Sequence, residues 1–251
     1  MQTYRLTLCY DGTRYNGWQR QGNTSNTIQE KLETLLTRLL GQTIEVAGSG
    51  RTDAGVHAAA QVVSFHAETD MPTNELLKKI RQYLPEDIGA VALEEAPPRF
   101  HARLSATGKT YVYRIWNSEM PCVFERKYIY QMSRSLDLAA MEEAAGSLTG
   151  THDFMSFCGN KRMKKSTVRT LRRIDIQRLG PEVRLTFNGD GFLYNMVRIL
   201  TGTLLEVGLG ERAPESIPAL LEARDRSQAG FLAPAQGLML QDVEYGKEVM
   251  K

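Results

Sequence analysis

The sequence is short of the residues that build covalent or metal-held frameworks. Only three of 251 residues are cysteine. Cys9, Cys122 and Cys158 stand far apart and form no C-x-x-C pair, which argues against a disulfide-stapled scaffold and fits a reducing, cytoplasmic setting. The four histidines, His57, His66, His101 and His152, show no metal-ligand spacing, so no structural or catalytic metal is expected. No run of about 18 apolar residues occurs, so no membrane-spanning helix is expected. The first ten residues alternate around Arg5 and read as a strand rather than a signal peptide. Two nucleotide-binding signatures are also missing. Gly48-Ser49-Gly50 opens like a dinucleotide loop, but Asp53 stands where the third glycine belongs. Gly108-Lys109-Thr110 resembles the end of a P-loop, but Arg103 takes the place of its first glycine and a strand pattern follows.

What is present is the composition of a globular chain. Hydrophobic residues make up 42% and charged residues 24%, enough to bury a core in one large domain or two modest ones. The net charge of +2 says little by itself; its distribution says more. Lys161-Arg162-Met163-Lys164-Lys165 packs four cations into five residues, and Arg169, Arg172 and Arg173 follow. A second basic stretch runs through Arg99, His101, Arg103, Lys109 and Arg114. Such clusters suit a phosphate backbone, although each could equally be a solvated loop or strand face.

Periodicity divides the chain near residue 105. Thr3 to Tyr10 alternates as a half-buried strand. Thr27 to Leu40 places Ile28, Leu32, Leu35, Leu36, Leu39 and Leu40 on one helical face, and Gly41 stops it. Strands are expected at Ile44–Ala47, Gln61–His66 and Ile88–Glu94, with a helix over Asn74–Tyr83. The proline-rich Glu95-Ala96-Pro97-Pro98-Arg99 breaks the pattern. Beyond it, Lys109–Trp116 reads as a strand and Leu136–Leu148 as a helix. Leu171–Arg178 and Glu182–Asn188 read as a hairpin turning at Gly180-Pro181. Phe192–Val207 and Pro214–Ala223 read as helices. The mixture favours an α+β fold with mainly antiparallel sheet: an N-terminal part, 1–105, and a C-terminal part, 106–251.

Chemistry gathers around Gly50-Arg51-Thr52-Asp53-Ala54-Gly55-Val56-His57. Small residues flank one carboxylate, so a ligand can approach Asp53 closely; alternatively Asp53 caps its own turn. Between Asp190 and Glu206 the only charged residue is Arg198. A guanidinium in so apolar a helix either reaches water along its stem or pairs with a carboxylate. Paired with Asp53, it would keep that carboxylate ionised and aimed, which suits covalent catalysis on a sugar or base. Tyr111 could stack an unpaired base beside a basic groove, or simply fill a strand core.

Seven segments resemble the tRNA pseudouridine synthase A family. They are Tyr10-Asp11-Gly12-Thr13 with Gly17-Trp18-Gln19, Gly50 to His57, Phe100-His101-Ala102-Arg103, Lys109-Thr110-Tyr111, Asp153-Phe154 with Ser156-Phe157, Gly191-Phe192-Leu193 with Met196-Val197-Arg198, and Ala233-Pro234 with Gly237-Leu238. Each is short; their order along nearly the whole chain is specific. The resemblance implies an isomerase that converts uridine to pseudouridine in the tRNA anticodon stem-loop, at positions 38, 39 and 40. It implies Asp53 as nucleophile, Arg51 in opening the site to a flipped nucleotide, Tyr111 on the target base and Arg198 as partner of Asp53. It implies tRNA contacts at Phe100, His101, Ala102, Arg103 and Leu104, and at Lys161, Arg162, Met163, Lys164 and Lys165. It further implies two RRM-like or ferredoxin-like subdomains around a central catalytic cleft, a homodimer, and no cofactor.

Pseudouridine formation breaks the N1–C1′ bond, turns the base and joins C5 to C1′. Attack by Asp53 at C1′, attack at C6 and a glycal route all remain open, as does the base that removes the C5 proton. Two rivals stand beside this reading. A non-catalytic RRM-like RNA-binding module would show an RNP1 aromatic pattern, which is lacking. A glycosidase would need a second carboxylate facing the bond, and none is evident beside Asp53.

Overall fold

Alternation over nine residues becomes β1 (Gln2–Tyr10), with Tyr4, Leu6, Leu8 and Tyr10 buried on its inner side. The computed structural model describes residues 1–160 and 162–246. They form two units. One holds residues 1–107 and the C-terminal segment from Met239; the other is Gly108–Leu238.

In the first unit β1 lies between β3 (His57–Ala67) and β4 (Ile88–Ala96), antiparallel to both. β3 has two further neighbours. β2 (Val46–Gly48) pairs antiparallel with Phe65 to Val63. β10 (Leu238–Tyr245) runs parallel, placing Met239 and Leu240 opposite His57 and Ala58. The strand expected at Ile44–Ala47 starts two residues later, at Val46, and ends one later, at Gly48. α1 (Ile28–Leu40) starts at Thr27, whose side chain accepts from the Glu30 amide at 3.3 Å, and ends at Gly41. Of the predicted face, Ile28, Leu32 and Leu36 are buried, together with Glu33, while Leu35, Leu39 and Leu40 are half-buried. α2 (Thr73–Tyr83) packs Leu76 and Ile80 into the core and lies against β4.

The second unit is built on β5 (Ala106–Asn117), β9 (Glu182–Gly189), β8 (Val168–Leu179) and β7 (Gly150–Asp153), antiparallel in that order. β6 (Tyr130–Met132) pairs with β5 in parallel. The predicted hairpin turns at Gly180-Pro181 between β8 and β9. α3 (Leu138–Leu148), capped by Asp137, packs on α4 (Met196–Gly208) and on β8. The helix expected from Phe192 begins only at Met196, because Asn195 is left-handed at φ 61°, ψ 5°. The helix expected over Pro214–Ala223 is a 3₁₀ turn, Pro214–Ser216, followed by α5 (Ile217–Ala223). In α4 every residue but Arg198 and Glu206 is buried, so nearly the whole circumference faces protein. Its threonines are satisfied locally: Thr201 Oγ1 donates to Val197 O and Thr203 Oγ1 to Ile199 O, both at 2.9 Å. The fold is α+β with a largely antiparallel sheet, as expected.

Candidate active site

Asp53 lies in the loop between β2 and β3. Residues 12 to 18 shape that loop, and here the first resembling segment finds its use. A Cβ on Gly12 would fall 2.0 Å from Val56 O, and one on Gly17 would fall 2.8 Å from Thr52 O and 3.1 Å from the Ala54 nitrogen. Gly17 also stands at φ +88°, a conformation that disfavours side chains. Next to it, Trp18 N–H donates to Thr52 O at 3.0 Å, and Val56 N–H donates to Asp53 O at 3.1 Å. From below, the Tyr10 hydroxyl bonds Thr52 Oγ1 at 2.8 Å and accepts from Gln61 Nε2 at 3.4 Å. Gln61 Nε2 also donates to Gly50 O at 3.0 Å, and Ser49 Oγ donates to Gln61 Oε1 at 2.6 Å. Burial pushes the Tyr10 phenol up to about 12, against the opposing pull of its bonds to Thr52 and Gln61, so it stays neutral. The backbone on both sides of Asp53 is therefore fixed. Asp53 itself is half-buried, while Arg51 and Ala54 are exposed. His57 is buried, its Nδ1 accepting from the Gly12 amide at 3.1 Å.

Within the second unit Arg198 sits in the first turn of α4. Its Nε donates to Ala233 O at 2.8 Å and its Nη1 to Asn195 Oδ1 at 3.4 Å. Ala233 N–H returns a bond to Arg198 O at 3.2 Å. Ala233-Pro234, one of the resembling segments, thus holds the guanidinium of another. Tyr111 is buried in β5, opposite Phe187 of β9, and meets the Phe192 ring edge-on with centroids 5.1 Å apart. Tyr113 is the fully buried tyrosine of this strand. It donates to Pro234 O at 2.8 Å, and burial drives its phenol far above the ordinary value.

The basic segments divide by exposure. Phe100 and Ala102 are buried in the first unit. Phe100 packs on the Tyr245 ring at 5.2 Å, and Ala102 accepts from the Tyr245 hydroxyl at 2.7 Å. Arg103 and Leu104 are exposed, with their amides donating to His101 Nδ1 at 3.1 and 3.3 Å. Arg162, Lys164 and Lys165 are exposed and Met163 is half-buried; Lys161 lies outside the described residues. Asn195 and the network of Tyr10, Thr52 and Gln61 were not foreseen. A left-handed asparagine has no periodicity to betray it, Gln61 reads only as a strand position, and the resemblance at Tyr10 names no partner for its hydroxyl. Among the described residues no three His, Cys, Asp or Glu side chains group to hold a metal, and no helix is long and apolar enough to cross a membrane.

Residues 8–104 and 144–246 match the profile of a family described as tRNA pseudouridine synthase. Full-length relatives agree. The chain is 46% identical to the tRNA pseudouridine synthase A of Bacillus sp. (strain KSM-64), over 98% of this chain and all of that protein. It is 45% identical to tRNA pseudouridine synthase A 2 of Bacillus cereus (strain ZK / E33L), again over 98% of this chain and all of the other. To tRNA pseudouridine synthase A 2 of Clostridium tetani it is 44% identical, over 96% of this chain and 98% of that one. The matched stretches include the Asp53 loop with its glycine cradle, and Arg198 with its carbonyl anchor, and on this footing the chain belongs to the tRNA pseudouridine synthase family, isomerases that make pseudouridine in tRNA.

Proposed function

We propose that the protein isomerises uridine in the anticodon stem-loop of tRNA, at positions 38 to 40, with Asp53 as the nucleophile. The observation that carries this is the Asp53 loop: a carboxylate on a backbone locked by Gly12, Gly17, Trp18 and Thr52. A nucleophile held in place spares the reaction the cost of orienting it. The target nucleotide leaves the helical stack to reach Asp53, at a cost of about a few kcal/mol. Arg51, exposed beside Asp53, helps hold the opened position. Arg198 is the cationic partner that keeps Asp53 ionised, with Ala233 O holding its Nε so that the outer nitrogens are aimed. Tyr111 packs on the detached base while it turns, backed by Phe192. Exposed Arg103, Arg162, Lys164 and Lys165 meet phosphates, and buried Phe100 and Ala102 mount Arg103.

The test is chemical mapping of pseudouridine in an unmodified tRNA transcript. The parent should modify positions 38 to 40. Asp53→Asn should bind the transcript as the parent does, because phosphate contacts set affinity, and make no product, because the amide lacks the charge and nucleophilicity of the carboxylate. Surviving turnover would place the nucleophile elsewhere. Binding and turnover falling together would make Asp53 a structural turn residue.

A further inference from the structure

Tyr194 has no part in the roles above, yet it is 59% exposed on a tightly held backbone. Leu193 before it is buried, and Asn195 after it is left-handed at φ 61°. Tyr194 O accepts from the Gly159 amide at 2.8 Å. A Cβ on Gly159 would stand 3.0 Å from the Tyr194 ring and 2.8 Å from Asn195 Nδ2. The ring is therefore seated on bare backbone at the foot of the basic loop, and the rest of its surface meets solvent.

That loop is itself anchored. Phe154 N–H donates to Thr167 O at 3.1 Å. Asp153 Oδ1 takes Thr167 Oγ1 at 2.5 Å and the Met155 amide at 3.1 Å. Arg224 Nε lies 3.1 Å from Asp153 Oδ2. Closed at its base, the loop that leaves Gly159, whose amide is bonded to Tyr194 O, carries exposed Arg162, Lys164 and Lys165. On the strand side, the Arg169 side chain passes 3.6 Å from where a Gly191 Cβ would be. An open aromatic ring among cations is the arrangement that holds unpaired nucleotides, the ring taking a base and the cations its phosphates.

We propose that Tyr194 is a stacking platform for an unpaired base of the tRNA other than the one being isomerised, with flanking phosphates held by Arg162, Lys164 and Lys165. This rests on the tRNA reading above. The experiment is equilibrium binding of the unmodified transcript over a range of salt. It compares the parent with Tyr194→Phe, Tyr194→Leu and the triple change Arg162, Lys164 and Lys165→Ala. Tyr194→Phe should bind within twofold of the parent. Tyr194→Leu should lose roughly 5- to 100-fold in affinity, the worth of one stacked base, with the salt slope unchanged. The triple change should flatten the slope, since each cation releases about one counterion. The proposal is overturned if Tyr194→Leu binds as the parent does. It is equally overturned if that variant flattens the slope as the triple change does, because Tyr194 would then only prop the loop. A parent that fails to bind the transcript overturns the underlying tRNA reading instead.

Discussion

Gly17 shows how a residue with no side chain can fix the backbone around the proposed nucleophile. Its positive φ and its closeness to Thr52 O leave no room for a methyl group. Gly17→Ala should lower stability by about 1–3 kcal/mol and lower turnover with Asp53 still present; urea unfolding and pseudouridine mapping would check both. Arg198 yields a second expectation. Its Nε is taken by Ala233 O, so the function assigned to it needs the planar fork. Arg198→Ala should abolish turnover, and Arg198→Lys should restore little of it, since one ammonium cannot bond Ala233 and also meet a carboxylate as a fork does. Rates under single-turnover conditions would decide; a lysine variant as active as the parent would refute the assignment. These roles were legible in part. Asp53 and Arg198 stand out because each is a charge among small or apolar neighbours. Asn195, which touches Arg198, does not: it lies in a run of apolar neighbours, and no local pattern marks its left-handed backbone.

Among the elements, the β8–β9 hairpin and α1 could be read in advance because turn and cap residues coincide with a change of period. The pattern predicts α4 four residues too long at its start, because Phe192 and Leu193 continue the apolar pattern while Asn195 breaks the backbone. The start of β9 carries a charge network with a pH signature. Glu182 is buried and accepts from Arg114 Nη2 at 2.7 Å and from Arg184 Nη2 at 2.9 Å. Burial alone would raise its carboxyl, but the bonds from Arg114 and Arg184 hold it below the ordinary value. A lowered folded pKa contributes stability above the unfolded carboxylate range, and that contribution is lost as pH falls through it. Glu182→Gln should therefore cost about 1–3 kcal/mol near neutral pH, and its gap from the parent should close below about pH 4. Denaturant unfolding at several pH values would show this; a gap constant from pH 7 to 3 would contradict it.

For the whole molecule, sequence patterns indicated a break near residue 105 but not that the chain returns. β10 carries no turn signal that ties it to β3; its partner was chosen by long-range pairing, which periodicity cannot see. The first unit is consequently discontinuous, and Tyr245 supplies both the ring against Phe100 and the hydroxyl bond to Ala102. A chain ending at Leu238 should melt earlier, with the loss falling on the first unit, as hydrogen exchange in β3 would reveal; unchanged protection there would mean that β10 is dispensable. We propose a homodimer, which the resemblance implies: sedimentation should then report about twice the 28.2 kDa chain mass, and a stable monomer that still modifies tRNA would refute it.

The returning strand also sets an order of events during synthesis. A ribosome that has finished residue 107 must still add more than a hundred residues before β10 emerges, roughly 7–26 s at about 5–20 residues per second. Throughout that interval β3 lacks one of its partners, and the loop bearing Asp53 hangs from an unfinished sheet. A message cut short, or a ribosome stalled late, therefore yields a chain that contains the proposed nucleophile and lacks the strand that completes its support. Such a chain would carry the Asp53 loop on a sheet that lacks the pairing of Met239 and Leu240 with His57 and Ala58.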